Sequence, residues 1–423
     1  MASAAPTLSS ITPAQRRTLI AAALGWALDA FDVMLYAMVL AHIMRDLGMT
    51  KGTAGLLNTL TLLASGVGGV LFGFLADRFG RKRALMLSIL TYSVFSFASG
   101  MATSVKMLAA FRFVLGLGMG GEWNTGATLV AETFPTELRA KAIAVVQSSW
   151  AFGYAAAALV SGIILRYFDW RIVFFFGIIP AFVTLWIRKD VPESEMWRNS
   201  VAPATSPAVV DGDSPSTRPT RSFLHLFSPE YARPTLALLL LNLFGLFGWW
   251  GLFTWIPPYL SLPTSQGGRG FGLMGTTALL IFLNLAGMFP GYVSFGWVAD
   301  RLGRKRSFLV YLLGAAGMVP IYARARNEIA LLLLGAVVAF FGTGFFSGSG
   351  IIGSELFPTG LRARALGLTY NGARTLSALA PYVIGRVGEQ HGLGAAFYLC
   401  ALAFLLSALV STLLPETKGQ ALA

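Results

Sequence analysis

Charge is scarce in this chain and cysteine nearly absent. Charged residues make up 12% of it, against about a quarter in ordinary soluble domains, too few to cover a water-facing surface of normal size. The single cysteine, Cys400, rules out an internal disulfide. The three histidines, His42, His225 and His391, lie far apart with no metal-ligand spacing around them. Neither a metal centre nor a convergent catalytic set is therefore expected, and no enzyme activity or cofactor. Acidic residues are the minority, 19 against 32 Lys and Arg, for a formal net charge of +13.

What is abundant is apolar. Hydrophobic residues are 55% of the chain and mean hydropathy is +0.67, which places the chain in a lipid bilayer. Runs long enough to cross roughly 30 Å of hydrocarbon lie at about 18 to 43, 53 to 76, 84 to 103, 107 to 131, 140 to 165 and 171 to 188. A second set lies at about 234 to 261, 272 to 299, 307 to 323, 328 to 356, 363 to 388 and 394 to 414. Pro257 and Pro258 mark a kink in the seventh span, with an early helix end there as the alternative to the full 234 to 261. The first stretch is too long for a cleavable signal peptide, carries Asp29 and Asp32, and is expected to stay as a helix.

With six spans on each side of a polar, Pro/Ser-rich stretch, most basic residues fall on the side that holds both termini, among them Arg16, Arg17, Arg188 and Lys418. Arg45, Lys106 and Arg324 belong to the smaller opposite set. The excess marks the cytoplasmic side, so both termini are expected inside, and the positive charge reflects membrane orientation rather than a nucleic-acid partner. The organisation expected is a bundle over 1–190, a cytoplasmic linker over 191–233 and a second bundle over 234–423.

The two halves repeat one another at a constant offset of 223 residues. Gly73-Phe-Leu-Ala-Asp77-Arg78-Phe-Gly80-Arg81-Lys82-Arg83 returns as Gly296-Trp-Val-Ala-Asp300-Arg301-Leu-Gly303-Arg304-Lys305-Arg306. Glu132-Thr-Phe-Pro135-Thr-Glu-Leu-Arg139 returns as Glu355-Leu-Phe-Pro358-Thr-Gly-Leu-Arg362, and Pro192-Glu193 as Pro415-Glu416. A fixed offset across that much chain means a duplicated structural plan, as in transporters built from parallel repeats. In each half an aspartate ending one span, a turn at glycine and an arginine beginning the next bring opposite charges together at a helix end. The bland alternative is that the basic runs are topology signals and nothing more. Gly116-Leu-Gly118-Met-Gly120-Gly121 fits G-x-G-x-x-G but lies inside an apolar helix, so close helix packing accounts for it better than a dinucleotide site.

These residues carry a resemblance. The loop strings at 73–83 and 296–306, with Arg112-x-x-x-Gly116-x-Gly118 in the fourth span, resemble the major facilitator superfamily over essentially the whole chain. The resemblance implies an all-α integral membrane protein. It implies twelve transmembrane helices in two pseudo-symmetric six-helix bundles, a central cavity, and alternating access by rocking of the halves. It implies a cytoplasmic gate, stabilising the outward-facing state, at Asp77, Arg81, Glu132 and Arg139 and at Asp300, Arg304, Glu355 and Arg362. A multi-pass protein of the plasma membrane, the inner membrane of a bacterium, working as a monomer, is what such a chain is expected to be.

Function is expected where the halves differ. At the offset, Asp29 corresponds to Leu252, Asp32 to Trp255, Arg112 to Gly335 and Glu122 to Phe345, while Arg374 corresponds to Ala151. Ionisable groups at membrane depth are costly and face a cavity or a partner, which makes each a functional candidate. Counting about 1.5 Å per residue puts Asp29, Glu122 and Arg374 near the midplane. Asp29 and Asp32, three positions apart, share a helix face. Two carboxylates there cannot both stay ionised cheaply, which points to a proton site at Asp32 and Asp29 with Arg112 competing for the carboxylate. In the superfamily's proton symporters a first-span aspartate and the fourth-span arginine play those roles. A static buried ion pair is the alternative.

Arg374 suits an anionic substrate, whose carboxylate would complete its ion pair; pairing with Glu122 inside the protein is the competing reading. Gln147, Trp150, Asn242, Asn284, Tyr370, Asn371 and Tyr382 are candidate cavity-lining groups, each with helix-to-helix hydrogen bonding as its alternative. Gly25-Trp-Ala-Leu-Asp29-Ala-Phe-Asp32 and Gly120-Gly-Glu122-Trp123 are similar to a narrower branch of proton symporters for sialate, short monocarboxylates and aromatic acids. Proton-coupled uptake of a small organic anion is the expectation that follows. A proton symporter for a sugar or other neutral metabolite remains the alternative; a drug exporter is disfavoured by a fifth span without proline over Gly153–Gly162, and a non-transporting membrane sensor is the reading from another class.

Overall fold

The computed structural model describes residues 11–195 and 223–418. Twelve membrane-spanning segments follow one another among the described residues. The first six are α1 (Pro13–Asp46), α2 (Lys51–Phe79), α3 (Arg81–Ser99), α4 (Val105–Thr133), α5 (Thr136–Ile164) and α6 (Trp170–Asp190, with a 3-10 turn at Phe176–Ile178). The second six begin with α7 (Ala232–Ser261), α8 (Leu273–Leu302, π-helical at Leu283–Met288), α9 (Arg304–Arg324) and α10 (Glu328–Leu356). Next comes α11, running Thr359–Leu366, a π-helical turn Gly367–Gly372, Ala373–Ser377 and Ala380–His391. The last is α12 (Leu393–Ser411). Most of the linker expected over 191–233 lies outside the described residues.

Local chemistry sets the helix ends. Thr12 caps α1 reciprocally with Gln15, and Pro13 occupies the first turn, where its missing N–H costs nothing. Gly80 and Gly303 each end one helix and begin the next at φ 103° and 92°, a conformation that side chains other than glycine's rarely tolerate. Among the described residues, nine of the helices have the length and hydropathy to cross a membrane alone. α3, α4 and α11, rich in serine or interrupted by charge, cross only as members of the bundle.

Within the first half α2 and α3 pack on α4, and α1 packs on α5. The G-x-G-x-x-G run in α4 is the packing seam: a Cβ on Gly116 would strike the carbonyl of Thr61, and one on Gly120 that of Ser65, both in α2. The expectation of close packing there holds.

The seventh span reaches residue 261 as expected, since α7 continues through both prolines to Ser261 and the alternative of an early end at Pro257 falls. Pro257 has no N–H for the carbonyl of Phe253 four residues before it. That carbonyl instead accepts from the Tyr154 hydroxyl of α5 at 3.1 Å, a bond that joins the two halves. Next to it, Asn58 of α2 donates to the Thr254 hydroxyl at 3.0 Å. The proline thus leaves an acceptor that the opposite bundle fills. Tyr154→Phe should lower thermal stability by about 1 kcal/mol, the usual worth of one hydrogen bond, and leave the buried acceptor wanting. A melting curve in detergent checks this, and an unchanged midpoint would remove the bond from the account.

Candidate functional site

Where the halves meet at mid-depth, one small cavity of about 20 Å³ is lined by Trp26, Gln147 and Trp150 from the first half. Leu246, Trp249, Trp250, Tyr292, Phe346, Tyr370 and Arg374 line it from the second. That volume holds roughly one water, so a solute is admitted only when the halves part. Its walls are aromatic. Trp26 and Trp150 have ring centroids 4.8 Å apart, Trp150 and Trp249 5.8 Å, and Trp249 and Trp250 4.8 Å.

The structure sorts the other expected lining residues. Asn242 donates to the Thr369 carbonyl at 3.1 Å and accepts from Ser349, holding α7 to α11 and α10. Asn284 donates back to Leu280 in its own helix at 2.8 Å. Asn371 sits in the π-helical turn of α11, half-buried, and Tyr382 lies 36% exposed beyond it. Gln147, Trp150, Tyr370 and Arg374 are the four expected residues that the cavity brings together.

Beside the cavity lie the charged residues peculiar to one half, all buried. Neither carboxylate oxygen of Asp29 has a hydrogen-bond partner among the described residues. Asp32 accepts one bond, from the Ser96 hydroxyl at 3.0 Å. Glu122 presses against Gly25, where any Cβ would overlap its carboxylate. Arg112 makes no hydrogen bond to Asp32 or to any other group described; its guanidinium lies over the Tyr36 ring, 4.7 Å from the centroid. Tyr36 is held in place by donating to the Ala54 carbonyl at 2.8 Å. Arg374 lies within electrostatic reach of Asp29 and Glu122, and Arg112 of Asp32. The internal Arg374–Glu122 ion pair is not formed among the described residues; Nη2 of Arg374 is buried without an acceptor.

At the end that carries both termini, the repeated motifs form two matching triads. Arg81 holds Asp77 at 2.7 Å and Glu132 at 3.1 Å, and Arg304 holds Asp300 at 2.8 Å and Glu355 at 2.9 Å. Arg139 reaches the Phe134 carbonyl at 3.5 Å and Arg362 the Phe357 carbonyl at 3.3 Å. Each arginine thus braces its own half. The third repeat completes the arrangement: Glu193 accepts from the backbone N–H groups of Arg81 and Lys82, and Glu416 from those of Arg304 and Lys305. A carboxylate at a helix N-terminus is favoured by the four unpaired N–H groups there. Burial opposes the charge on Glu416, but these backbone donors outweigh it and hold the carboxyl below its usual range.

The opposite end is clasped across the halves. Lys51 at the start of α2 donates to the carbonyls of Gln266 at 2.7 Å and Gly388 at 3.3 Å, while Glu389 of α11 accepts from Gly52 N–H at 2.9 Å. At mid-depth the Asn58–Thr254 and Tyr154–Phe253 bonds add to this clasp between the halves. Burial would raise the Glu389 carboxyl, but bonds from Thr50, Gly52 and Arg386 hold it below its ordinary value.

Two of those three donors belong to the other half, so they are lost when the halves part and the parted form binds a proton more readily. The clasp is therefore fully made above the ordinary glutamate range and lost as pH falls through the lowered value. Glu389→Gln should remove that dependence and favour opening. Cysteine labelling of the cavity wall from this side, measured across pH, is the check; an acid-sensitive clasp that survives the substitution would exonerate Glu389.

Two helical bundles repeated in parallel around a central cavity are the architecture of a membrane transporter. The sequence pattern of the Major Facilitator Superfamily matches residues 22–294 and 269–422. The chain belongs to that family, a multi-pass integral membrane protein and not an enzyme. It is 32% identical to the sialic acid transporter NanX of Escherichia coli, over 93% of this chain and 92% of that one. It is 30% identical to the niacin transporter NiaP of Acinetobacter baylyi (94% and 93% covered) and 29% identical to that organism's cis,cis-muconate transport protein (92% and 92%). Among solved structures, a D-xylose-proton symporter shares the fold with a TM-score of 0.74 at 20% identity, covering 96% of this chain and 99% of that one.

Of the aromatic wall the sequence points to Trp150 and Tyr370 but not to Trp26, Trp249, Trp250, Tyr292 or Phe346. The signal was present in the same offset: Trp26 corresponds to Trp249, Trp123 to Phe346 and Gln147 to Tyr370, so bulky groups near the cavity come in symmetric pairs. Ser96 and Tyr36, which hold Asp32 and Arg112, gave no such sign, except that Tyr36 follows Asp32 by one helical turn.

Proposed function

We propose that this transporter is a proton-coupled symporter that takes up a small organic anion, with Arg374 gripping the carboxylate and Asp29, Asp32, Glu122 and Arg112 handling the proton. The observation that carries the reading is Arg374: a guanidinium at the cavity wall, buried, with a nitrogen lacking an acceptor among the described residues. Such a charge is stable only when a partner arrives, and a carboxylate is the partner its planar fork fits. The names of the relatives, for sialic acid and cis,cis-muconate, point the same way. The unbonded Asp29 and the barely bonded Asp32 can take up a proton without first breaking an ion pair.

In this reading the chain sits in the plasma membrane, the inner membrane of a bacterium, as a monomer. Both termini are cytoplasmic, 1–190 and 234–423 are the rocking units, and 191–233 is the cytoplasmic linker. The basic loops with Lys82 and Lys305 support that orientation. The clasp at Lys51 and Glu389 is then the closed outer gate, and the triads at Arg81 and Arg304 belong to the cytoplasmic gate. Purified protein in proteoliposomes should accumulate a labelled carboxylate when the lumen is made alkaline, above protein-free vesicles, and a protonophore should abolish the gain. Accumulation of neutral sugars alone under the same gradient would establish the neutral-metabolite alternative instead.

A further inference from the structure

The third span carries a buried hydroxyl with no structural partner. Tyr92 of α3 is fully buried, and its hydroxyl makes no hydrogen bond among the described residues. Acceptors in the same condition lie near it: both carboxylate oxygens of Asp29, one of Asp32 and one of Glu122 are buried and unbonded. Tyr92 is within electrostatic reach of all three acids. A hydroxyl both donates and accepts, so it can serve two carboxyl groups at once.

Position along α3 sets what that hydroxyl separates. Ser96 stands one helical turn after Tyr92 and holds Asp32 at 3.0 Å, so the two side chains share the face turned to α1. On the far side Gly177 of α6 packs against Asp32 so closely that an added Cβ would come within 2.8 Å of its carboxylate. The Tyr92 backbone is fixed on α4, where a Cβ on Gly118 would lie 2.7 Å from its nitrogen. Helix side chains lean toward their own N-terminus, which carries the Tyr92 ring from the level of Gly118 toward that of Glu122, one turn further along the antiparallel α4. In depth the order is Asp32 with Ser96, then the Tyr92 hydroxyl, then Glu122 against Gly25. The position is also unduplicated. At the offset of 223 residues Tyr92 corresponds to Ala315 and Ser96 to Val319, so this polar face accompanies the charges found only in the first half.

Resting on the proton-coupled reading above, we infer that Tyr92 is a proton-relay residue joining Asp32 to Glu122. The carboxylic acid at Asp32 gives its proton to the Tyr92 oxygen as the Tyr92 proton passes to the Glu122 carboxylate. One proton moves, Asp32 becomes the anion, Glu122 becomes neutral and the tyrosine ends as it began. Substrate drives the step. A carboxylate on Arg374 takes up the charge whose field Asp29 and Glu122 share, and a proton on Glu122 then neutralises a buried anion left without its counter-charge.

The test is Tyr92→Phe, which removes the hydroxyl and keeps the ring. Because that hydroxyl is buried without a partner, the melting temperature in detergent should not fall. Proteoliposomes are offered labelled N-acetylneuraminate, nicotinate and cis,cis-muconate, and the variant is followed on whichever acid the wild type accumulates. Uptake driven by an alkaline lumen should slow about tenfold, less than the roughly hundredfold a positioned proton-transfer group contributes, because rocking of the halves shares control of the rate. Exchange of internal for external substrate, which needs no net proton transfer, should stay near the wild-type rate. Replacing H2O with D2O should slow driven uptake more in Tyr92→Phe than in wild type, a response that altered packing would not produce. Unchanged driven uptake would overturn the relay, and so would equal losses of uptake and exchange, or a slowing with no added isotope effect. In those cases the wild-type uptake leaves proton symport standing. A wild type that accumulates none of the three acids under the gradient would bring down the proton-coupled reading and the relay with it.

Discussion

Arg374→Ala should cut carboxylate uptake by roughly 30-fold or more, because removing one partner of a buried charge pair costs about 2–5 kcal/mol and each 1.4 kcal/mol is tenfold. The loss should fall on charged substrates and spare a neutral analogue of the same ring. Arg374→Lys should land between the two: the ammonium keeps the charge but not the planar pair of donors that matches a carboxylate. Initial uptake rates in proteoliposomes, measured for an acid and its amide with all three proteins, separate anchoring from general damage. Equal losses for both solutes would mean that Arg374 supports the packing of α11 and does not read the anion. That alternative has a physical basis, since the Arg374 carbonyl already accepts from Ser377 and the side chain borders a π-helical turn.

The fold was legible because duplication leaves a mark that composition cannot imitate. Asp77, Arg81, Glu132 and their partners 223 residues later repeat both in sequence and in contact, down to ion pairs that match within a few tenths of an ångström. Pro192-Glu193 was visible as a third repeat, yet its role as an acceptor for the first N–H groups of α3 depends on where α6 ends, which no local pattern states. The charges unique to one half were legible too, for an ion in an apolar run stands out. Their pairing was not. Whether Arg112 meets Asp32 or Tyr36 turns on helix rotation, and a few tens of degrees decide it. The seventh span shows the same limit: Pro257 reads as a kink or a stop in its own helix and becomes a through-going turn only because Tyr154 of the other bundle takes the freed carbonyl.

Asp32→Asn should abolish proton-driven accumulation, down to the level of protonophore-treated wild type, while exchange of internal for external substrate stays within about twofold. An amide oxygen still accepts from Ser96, so the local hydrogen bond survives and the substitution removes little besides the exchangeable proton. Asp29 answers differently in this scheme. It lies within reach of Arg374 as well as of Asp32, so Asp29→Asn should alter anion affinity together with coupling, because it changes the field on the guanidinium that holds the substrate. Uptake under a proton gradient and exchange without one, measured for both variants, distinguish the two roles. Uphill accumulation persisting in Asp32→Asn but lost in Asp29→Asn would move the proton site onto the Asp29, Glu122 and Arg374 cluster. Substrate and proton would then compete for one set of charges, and Arg112, lying over Tyr36 at 4.7 Å, would be left to fix the packing of α4 on α1.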